Sequence, residues 1–326
     1  MQNERSRLSP VIADIRRAVR SALTEGDFVL VALSGGPDSL ALAAAVAFEA
    51  SRVGARAGAV IVDHGLQAGS ADAAARARDQ AEALGLDPVR VKTVTVGVDG
   101  GPEAAARTAR YRALSEAAKE LGATAVLLGH TLDDQAETVL LGLARGSGAA
   151  SLQGMAAETG IYRRPLLGIR RQQTVQFCDD SALTPWHDPQ NDDPAFTRVR
   201  VRTRVLPMLE AELGPGISEA LARTAEQLRE DAAALDHFAA EIAEDLAEHS
   251  EAGISLPAEA LAANPAALRQ RLIRLAVESE FHVSLSRSQT LEVARLVTDW
   301  HGQGAIDLPG VRVERHAGLL RFSARD

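Results

Sequence analysis

From Asp27 to about Gly146 the chain alternates short apolar runs with alanine-rich stretches. The runs are FVLVAL, AGAVIVD, PVRVKTVTV and TAVLLG, each followed by a turn and a helical pattern. Such alternation predicts a parallel, doubly wound α/β sheet with helices on both faces. In sheets of this kind ligands bind beyond the carboxyl ends of the strands. Ahead of Asp27, the residues Leu8, Ile12, Ile15, Val19 and Leu23 keep a helical spacing and predict one amphipathic helix. Beyond Gly146 the alternation stops. Helical pieces are expected near Arg171 to Leu183 and Phe196 to Leu209, and prolines at 185, 189 and 194 mark a loop between them. A long helix is expected from Ile217 to about His249, then two more near Ala266 to Glu278 and Ser286 to Trp300. The tail GAIDLPGVRVERHAGLLRFS reads as short strands separated by Pro309-Gly310 and Ala317-Gly318 turns. The pattern therefore divides the chain into an α/β domain, residues 1–212, and a smaller, mostly helical domain, residues 213–326, ending in short strands.

Composition narrows the class. With 326 residues the chain can build about two cores, and 46% hydrophobic with 24% charged residues is ordinary for a soluble protein. No charged-then-apolar leader opens the sequence, and the longest purely apolar run, Leu40 to Phe48, is too short to cross a bilayer. No membrane association and a cytoplasmic location are expected. The single cysteine, Cys178, excludes an internal disulfide framework and any CxxC site. A net charge of −9 argues against a protein whose main business is coating nucleic acid. Yet Lys92 and Lys119 are the only lysines among 35 basic residues, and Arg198, Arg200, Arg202 and Arg204 alternate, enough for one basic face on a phosphate backbone. Acidic residues crowd the segment from Glu219 to Glu251.

Candidate chemistry sits where strands end. Phe28 to Ser39, FVLVALSGGPDS, runs a strand through a glycine turn into a helix. Without Cβ atoms, Gly35 and Gly36 let backbone N–H groups approach phosphate oxygens at the helix N-terminus, where the dipole also favours negative charge. Ser34 and Ser39 add hydroxyls, and Asp38 makes sense beside phosphates mainly with Mg²⁺ between them. Alternatively, Ser34 caps the helix, Pro37 opens its first turn and the glycines only bend the chain. The second apolar run ends in Asp63-His64-Gly65, able to touch nucleotide base, ribose or substrate, or simply to turn the chain. The fourth ends in Gly129-His130-Thr131-Leu132-Asp133-Asp134-Gln135-Ala136-Glu137. Here Leu132, Ala136, Val139, Leu140 and Leu143 are expected to be buried, leaving Asp133, Asp134 and Glu137 clustered for a metal or a substrate amine. Thr131 with Asp134 matches a capping box, which accounts for one carboxylate but not three plus a histidine. Arg107 and Arg110, three apart on a helix, either grip phosphate or pair with Glu103.

SGGPDS resembles the pyrophosphate-loop motif SGGxDS. Together with VDHGL, the run Glu103 to Tyr111, GHTLDDQAET, RGSG and the stretch Arg198 to Pro207, it makes the chain similar to the tRNA(Ile)-lysidine synthetases, N-type pyrophosphate-loop ATPases. The resemblance is strong over residues 10–210 and weak in the DLPG tail. It implies that ATP adenylates the carbon-2 oxygen of the wobble cytidine in a CAU anticodon, after which the ε-amine of free L-lysine displaces AMP. It also implies roles. Ser34, Gly35, Gly36, Pro37, Asp38 and Ser39, with Asp63 and His64, would hold ATP, and Asp38 would hold Mg²⁺. Asp134 and Glu137 would hold the lysine amine; His130, Asp133, Arg107 and Arg110 would stand around the reacting groups. Arg198, Arg200, Arg202 and Arg204 would meet the isoleucine tRNA. The pattern departs from the family at Gln190 and Val199. Nothing in the sequence fixes the oligomeric state, a homodimer included.

Three other readings stand beside this one. A tRNA thiolase of the same superfamily normally needs paired cysteines, which Cys178 alone cannot supply. An ammonia-using ligase would come with a glutaminase half that is not recognisable here. A regulator that binds ATP without turnover would not need the acidic helix.

Overall fold

A computed structural model describes residues 9–65, 69–97, 101–146, 148–250 and 253–325. Leu8, Leu66, Ser147 and Glu251, and the side chains of Pro102 and Glu103, lie outside the described residues. The chain forms two compact units, residues 1–227 and 228–326.

The first unit contains the expected parallel strands β1 (Phe28–Ala32), β2 (Arg56–Asp63), β3 (Val89–Thr93) and β4 (Ala125–Leu127). Two short strands absent from the sequence reading, β5 (Glu158–Thr159) and β6 (Tyr162–Arg163), extend the sheet to the order β3-β2-β1-β4-β6-β5, with only β5 antiparallel. Its helices are α1 (Pro10–Ser21), α2 (Pro37–Ala50), α3 (Ser70–Ala83), α4 (Pro102–Leu121), α5 (Leu132–Ala144), α6 (Ala149–Leu152), α7 (Arg171–Asp180), α8 (Thr197–Arg200) and α9 (Leu206–Leu213). Because side chains alternate along a strand, the central strands β1, β2 and β4 feed two cores. Val29, Val31, Ala59, Ile61, Ala125 and Leu127 pack with α1, α2, α3 and α7 on one face. Phe28, Leu30, Val60, Val126 and Leu128 pack with Leu114, Ala117 and Ala118 of α4 on the other. Full burial of a side chain such as Leu30 contributes about 1.5–3 kcal/mol, so the central strands anchor the unit.

Strand order reverses between β1 and β4, since β1 leads to β2 on one side while β4 lies on the other. That is the crevice where doubly wound sheets bind ligands. Gly129, just after β4, lies so close to α2 that a Cβ there would stand 3.1 Å from the Asp38 carbonyl and the Ser39 Cα. The missing side chain lets the two strand ends meet.

Between α8 and α9 the helix widens into a π-turn over Val201–Val205, so residues 197–213 form one helical run rather than the simple helix expected near Phe196 to Leu209. The long helix α10 (Ile217–Leu246) stops before His249, which lies instead in β7 (Glu248–Ser250). The second unit adds β8 (Gly253–Pro257), α11 (Ala258–Ala263), α12 (Ala266–Phe281), α13 (Arg287–Thr298), β9 (Ile306–Leu308), β10 (Val311–His316) and β11 (Leu319–Ala324). Its five strands form an antiparallel sheet ordered β7-β8-β11-β10-β9, over a core that includes Leu272, Val293, Val313 and Phe322.

Candidate functional site

The loop after β1 has the shape expected of an anion cradle. Gly35 takes φ +84°, a conformation strained for other residues; Gly36 caps α2 without a side chain, and Pro37 occupies the first turn. Ser39 Oγ accepts from Ser34 N at 3.1 Å, lies 3.0 Å from Ser34 Oγ and donates to the Gly36 carbonyl at 3.0 Å. These bonds fix the loop from within. The Trp186 N–H donates to the Gly35 carbonyl at 2.8 Å, so the proline-marked loop lies against the cradle.

The Asp38 side chain meets α7. Its carboxylate accepts from Thr174 Oγ1 and stands 3.5 Å from Arg171 Nε. Burial pushes its pKa up, against the opposing pull of Thr174 and Arg171. A desolvated carboxylate beside a phosphate cradle is a fitting donor for a hard divalent cation, although a single carboxylate would need phosphate and water oxygens to complete the shell. Cys178, whose thiol donates to the Pro37 carbonyl at 3.5 Å, is pushed up to about 12 by burial and by Asp38, so it stays a protonated packing group.

The acidic helix departs from the expected picture in one respect. Leu143 is 60% exposed, whereas Asp134 and Glu137 are buried. The carboxylates are buried because the helical run 197–213 packs on α5, with Ala136 against Val201 and Leu206. Asp134 closes the capping box, with its Oδ2 accepting from Thr131 N at 2.8 Å and Thr131 Oγ1 at 3.0 Å. Glu137 is fully buried and meets three guanidinium groups, Arg171 at 3.1 Å, Arg198 at 2.8 Å and Arg202 at 2.8 Å. Asp133 accepts from the Arg171 backbone N–H at 2.7 Å and pairs with Arg170 at 3.1 Å. Burial opposes ionisation of Asp134, but Arg171 and the Thr131 N–H outweigh it and hold the carboxyl below its usual range.

Helical geometry splits the alternating arginines. Four residues apart, Arg198 and Arg202 share a face and converge on Glu137. Arg200 turns elsewhere, donating to the Pro194 and Ala195 carbonyls at 2.7 and 2.8 Å, and Arg204 is exposed. Val199, where the family pattern is broken, is buried. Gln190 lies in a single 3₁₀ turn, its N–H donating to Asp188 Oδ1 at 2.9 Å.

A second group is cationic or imidazole. His64 Nδ1, Arg110 Nε, His130 Nδ1 and Arg164 Nε are buried atoms with no hydrogen-bond partner. Burial lowers the pKa of His64, helped by Arg110, and burial with the nearby arginines takes His130 down to about 3 despite Asp134. Burial and Arg107 also lower Arg110. Arg107 lies over the Tyr111 ring, 4.8 Å from its centre. The unpaired Nε–H groups of Arg110 and Arg164 are cationic donors available to an anion. Asp63 Oδ1 accepts from the Gly65 N–H at 2.9 Å, so its carboxylate also shapes the turn.

Arg171, Thr174 and Trp186 were not singled out from the sequence. Arg171 follows Arg170 at the start of a polar helix, and nothing in that local pattern marks it. Only proximity through the fold does.

A glycine cradle at the strand switch point, with an acidic helix and unpaired cationic donors beside it, defines a PP-loop ATP-binding domain, and residues 8–209 match that domain in sequence. Residues 256–321 match the TilS substrate binding domain. The tRNA(Ile)-lysidine synthase of Leifsonia xyli is 64% identical over 92% of this chain and 91% of its own, and that of Thermobifida fusca 52% identical over 97% and 98%. The chain belongs to the tRNA(Ile)-lysidine synthase family. Among solved structures, a U34-tRNA thiolase of Methanococcus maripaludis, NcsA, carrying a [4Fe-4S] cluster, superposes with a TM-score of 0.58 at 20% identity, covering 68% of this chain and 80% of that one. That likeness establishes the shared fold alone.

Proposed function

We propose that this chain joins free L-lysine to carbon 2 of the wobble cytidine in the CAU anticodon of isoleucine tRNA, through an adenylated cytidine. The observation that carries the reading is the acidic helix α5 held against the phosphate cradle by the close contact of Gly129 with Asp38, in a chain of this family. The cytidine carbon-2 oxygen attacks the α-phosphorus of ATP and pyrophosphate leaves; the lysine ε-amine then attacks carbon 2 and AMP departs.

In this scheme the backbone from Ser34 to Ser39 binds pyrophosphate, favoured by the α2 dipole. Mg²⁺, held by Asp38 and the phosphates, would supply charge neutralisation on the leaving group. Asp63 and His64 flank the nucleotide. Arg107, the unpaired Nε–H of Arg110 and the imidazole of His130 face phosphate or the cytidine, whose developing charge they stabilise. Asp134 and Glu137 hold the lysine ammonium, with Asp133 close by; the amine that attacks is neutral, its proton passing to a carboxylate of this cluster. Arg200 and the exposed Arg204 meet the tRNA backbone, while Arg198 and Arg202 act through Glu137. Residues 213–326 form the tRNA-binding domain, and the reaction belongs in the cytoplasm. No helix among the described residues is long and apolar enough to cross a membrane.

The test is transfer of labelled free lysine into unmodified CAU-anticodon isoleucine tRNA, with ATP and Mg²⁺, beside a control tRNA with its wobble cytidine replaced. Alkali-resistant label in the first tRNA alone is expected. ATP split to AMP and pyrophosphate without label would leave the adenylation chemistry standing and remove lysine as the substrate. In the same assay Asp38→Asn is expected to cut pyrophosphate release at least about 100-fold while melting normally; near-normal turnover would remove Asp38 from its role.

A further inference from the structure

The Arg171 side chain reaches three carboxylates of the site, and its backbone N–H reaches a fourth. Its guanidinium meets Asp134 Oδ1 at 2.8 Å, Glu137 Oε1 at 3.1 Å and Asp38 Oδ2 at 3.5 Å, and its backbone N–H meets Asp133. We infer that Arg171 is a positioning residue that occupies the amine site in the free protein and yields it to the substrate ammonium. The inference rests on the proposed lysine chemistry.

Glu137 is fully buried, and both its oxygens accept from Arg198 or Arg202 besides Arg171. Asp134 Oδ2 is committed to Thr131. That leaves Asp134 Oδ1, where the near donor is Arg171 Nη2 at 2.8 Å; Arg202 Nη2 stands back at 3.8 Å. An ammonium that binds Asp134 there must displace the Arg171 guanidinium. Asp38 Oδ2 faces the same guanidinium.

Displacement is feasible because backbone and side chain are held separately. The backbone is pinned at the start of α7, where its N–H donates to Asp133 and Gln173 caps the helix through the Arg170 N–H. A cavity of about 150 Å³, lined by Asp133, Glu137, Arg170, Arg202 and Glu210, borders Arg171 and gives the side chain somewhere to go. In the free protein the guanidinium keeps Asp38, Asp134 and Glu137 from repelling one another; in the complex the substrate takes over part of that duty. Because a ligand that must first displace an occupant binds more weakly than its contacts alone would allow, Arg171 sets the affinity for lysine as well as the geometry.

The test is lysine binding by calorimetry to the full chain, with tRNA and a non-hydrolysable ATP analogue present. Arg171→Met, which removes the occupant and keeps an unbranched stem, is expected to bind lysine about 5-fold tighter or more. Arg171→Lys, which keeps a cation, is expected to stay nearer wild type. Lysine binding by Arg171→Met that is unchanged or weaker, in a protein that melts normally, would overturn the inference. If Arg171→Met does not fold, the wild type decides: its Arg171 Nε–H resonance, assigned as the one lost in Arg171→Lys, is expected to move when lysine binds. A resonance unmoved at lysine saturation would overturn the role. Absence of lysine binding by the wild type would instead overturn the lysine reading beneath it.

Discussion

His130 illustrates what a single buried group imposes. Burial holds its imidazole at about 3, and its Nδ1 has no partner, so the ring is neutral when the protein is folded at neutral pH. The unfolded chain takes up that proton near the ordinary value of about 6.5. Between those two values the unfolded state binds more protons than the native state, so stability falls as pH drops from about 6.5 towards 3. His130→Gln cannot titrate, and its urea midpoint should therefore fall less than that of wild type between about pH 7.5 and about pH 4.5. Equal losses in the two proteins would show that the ring is free to protonate in the fold. His130 was visible in the sequence because it follows a strand end; its lack of a partner was not, since that depends on Arg110 and Arg164 arriving from elsewhere in the chain.

At the scale of elements, Glu137 fastens α5 to α7 and to the helical run 197–213, because Arg171, Arg198 and Arg202 all end on it. Glu137→Gln would leave three guanidinium groups facing a neutral amide, and the expected cost is about 3 kcal/mol in urea unfolding. A loss below about 0.5 kcal/mol would mean that the elements are held by apolar packing alone. The strands β1 to β4 and the start of α5 were legible because continuous apolar runs and a capping box are local signals. The same reading put Leu143 in the core and extended α10 to His249. Periodicity identifies a helix but not how many neighbours cover it, and the polar Glu248–Ser250 segment becomes a strand only by pairing with β8. The alternating arginines were seen as one basic stripe, whereas helical geometry assigns two to an internal carboxylate and two to the outside.

For the whole molecule, a net charge of −9 means that a polyanion must be met by local arginines rather than by the overall field. Arg204→Ala is expected to weaken tRNA binding, lower the slope of log affinity against log salt by about 1, and leave stability within about 0.5 kcal/mol. Arg202→Ala should do the reverse, lowering the melting temperature through Glu137 before it changes the salt slope. Identical slopes for wild type and Arg204→Ala would move the backbone contact to another face. The chain has two tryptophans, one in each compact unit: Trp186, whose backbone N–H donates to the Gly35 carbonyl, and Trp300, lying under Arg315 in the second unit. With Trp300→Phe, the remaining indole emission would come from Trp186 alone, next to the glycine turn proposed to bind nucleotide. The protein thus carries its own optical probe, and stopped-flow fluorescence could time nucleotide arrival without an attached dye.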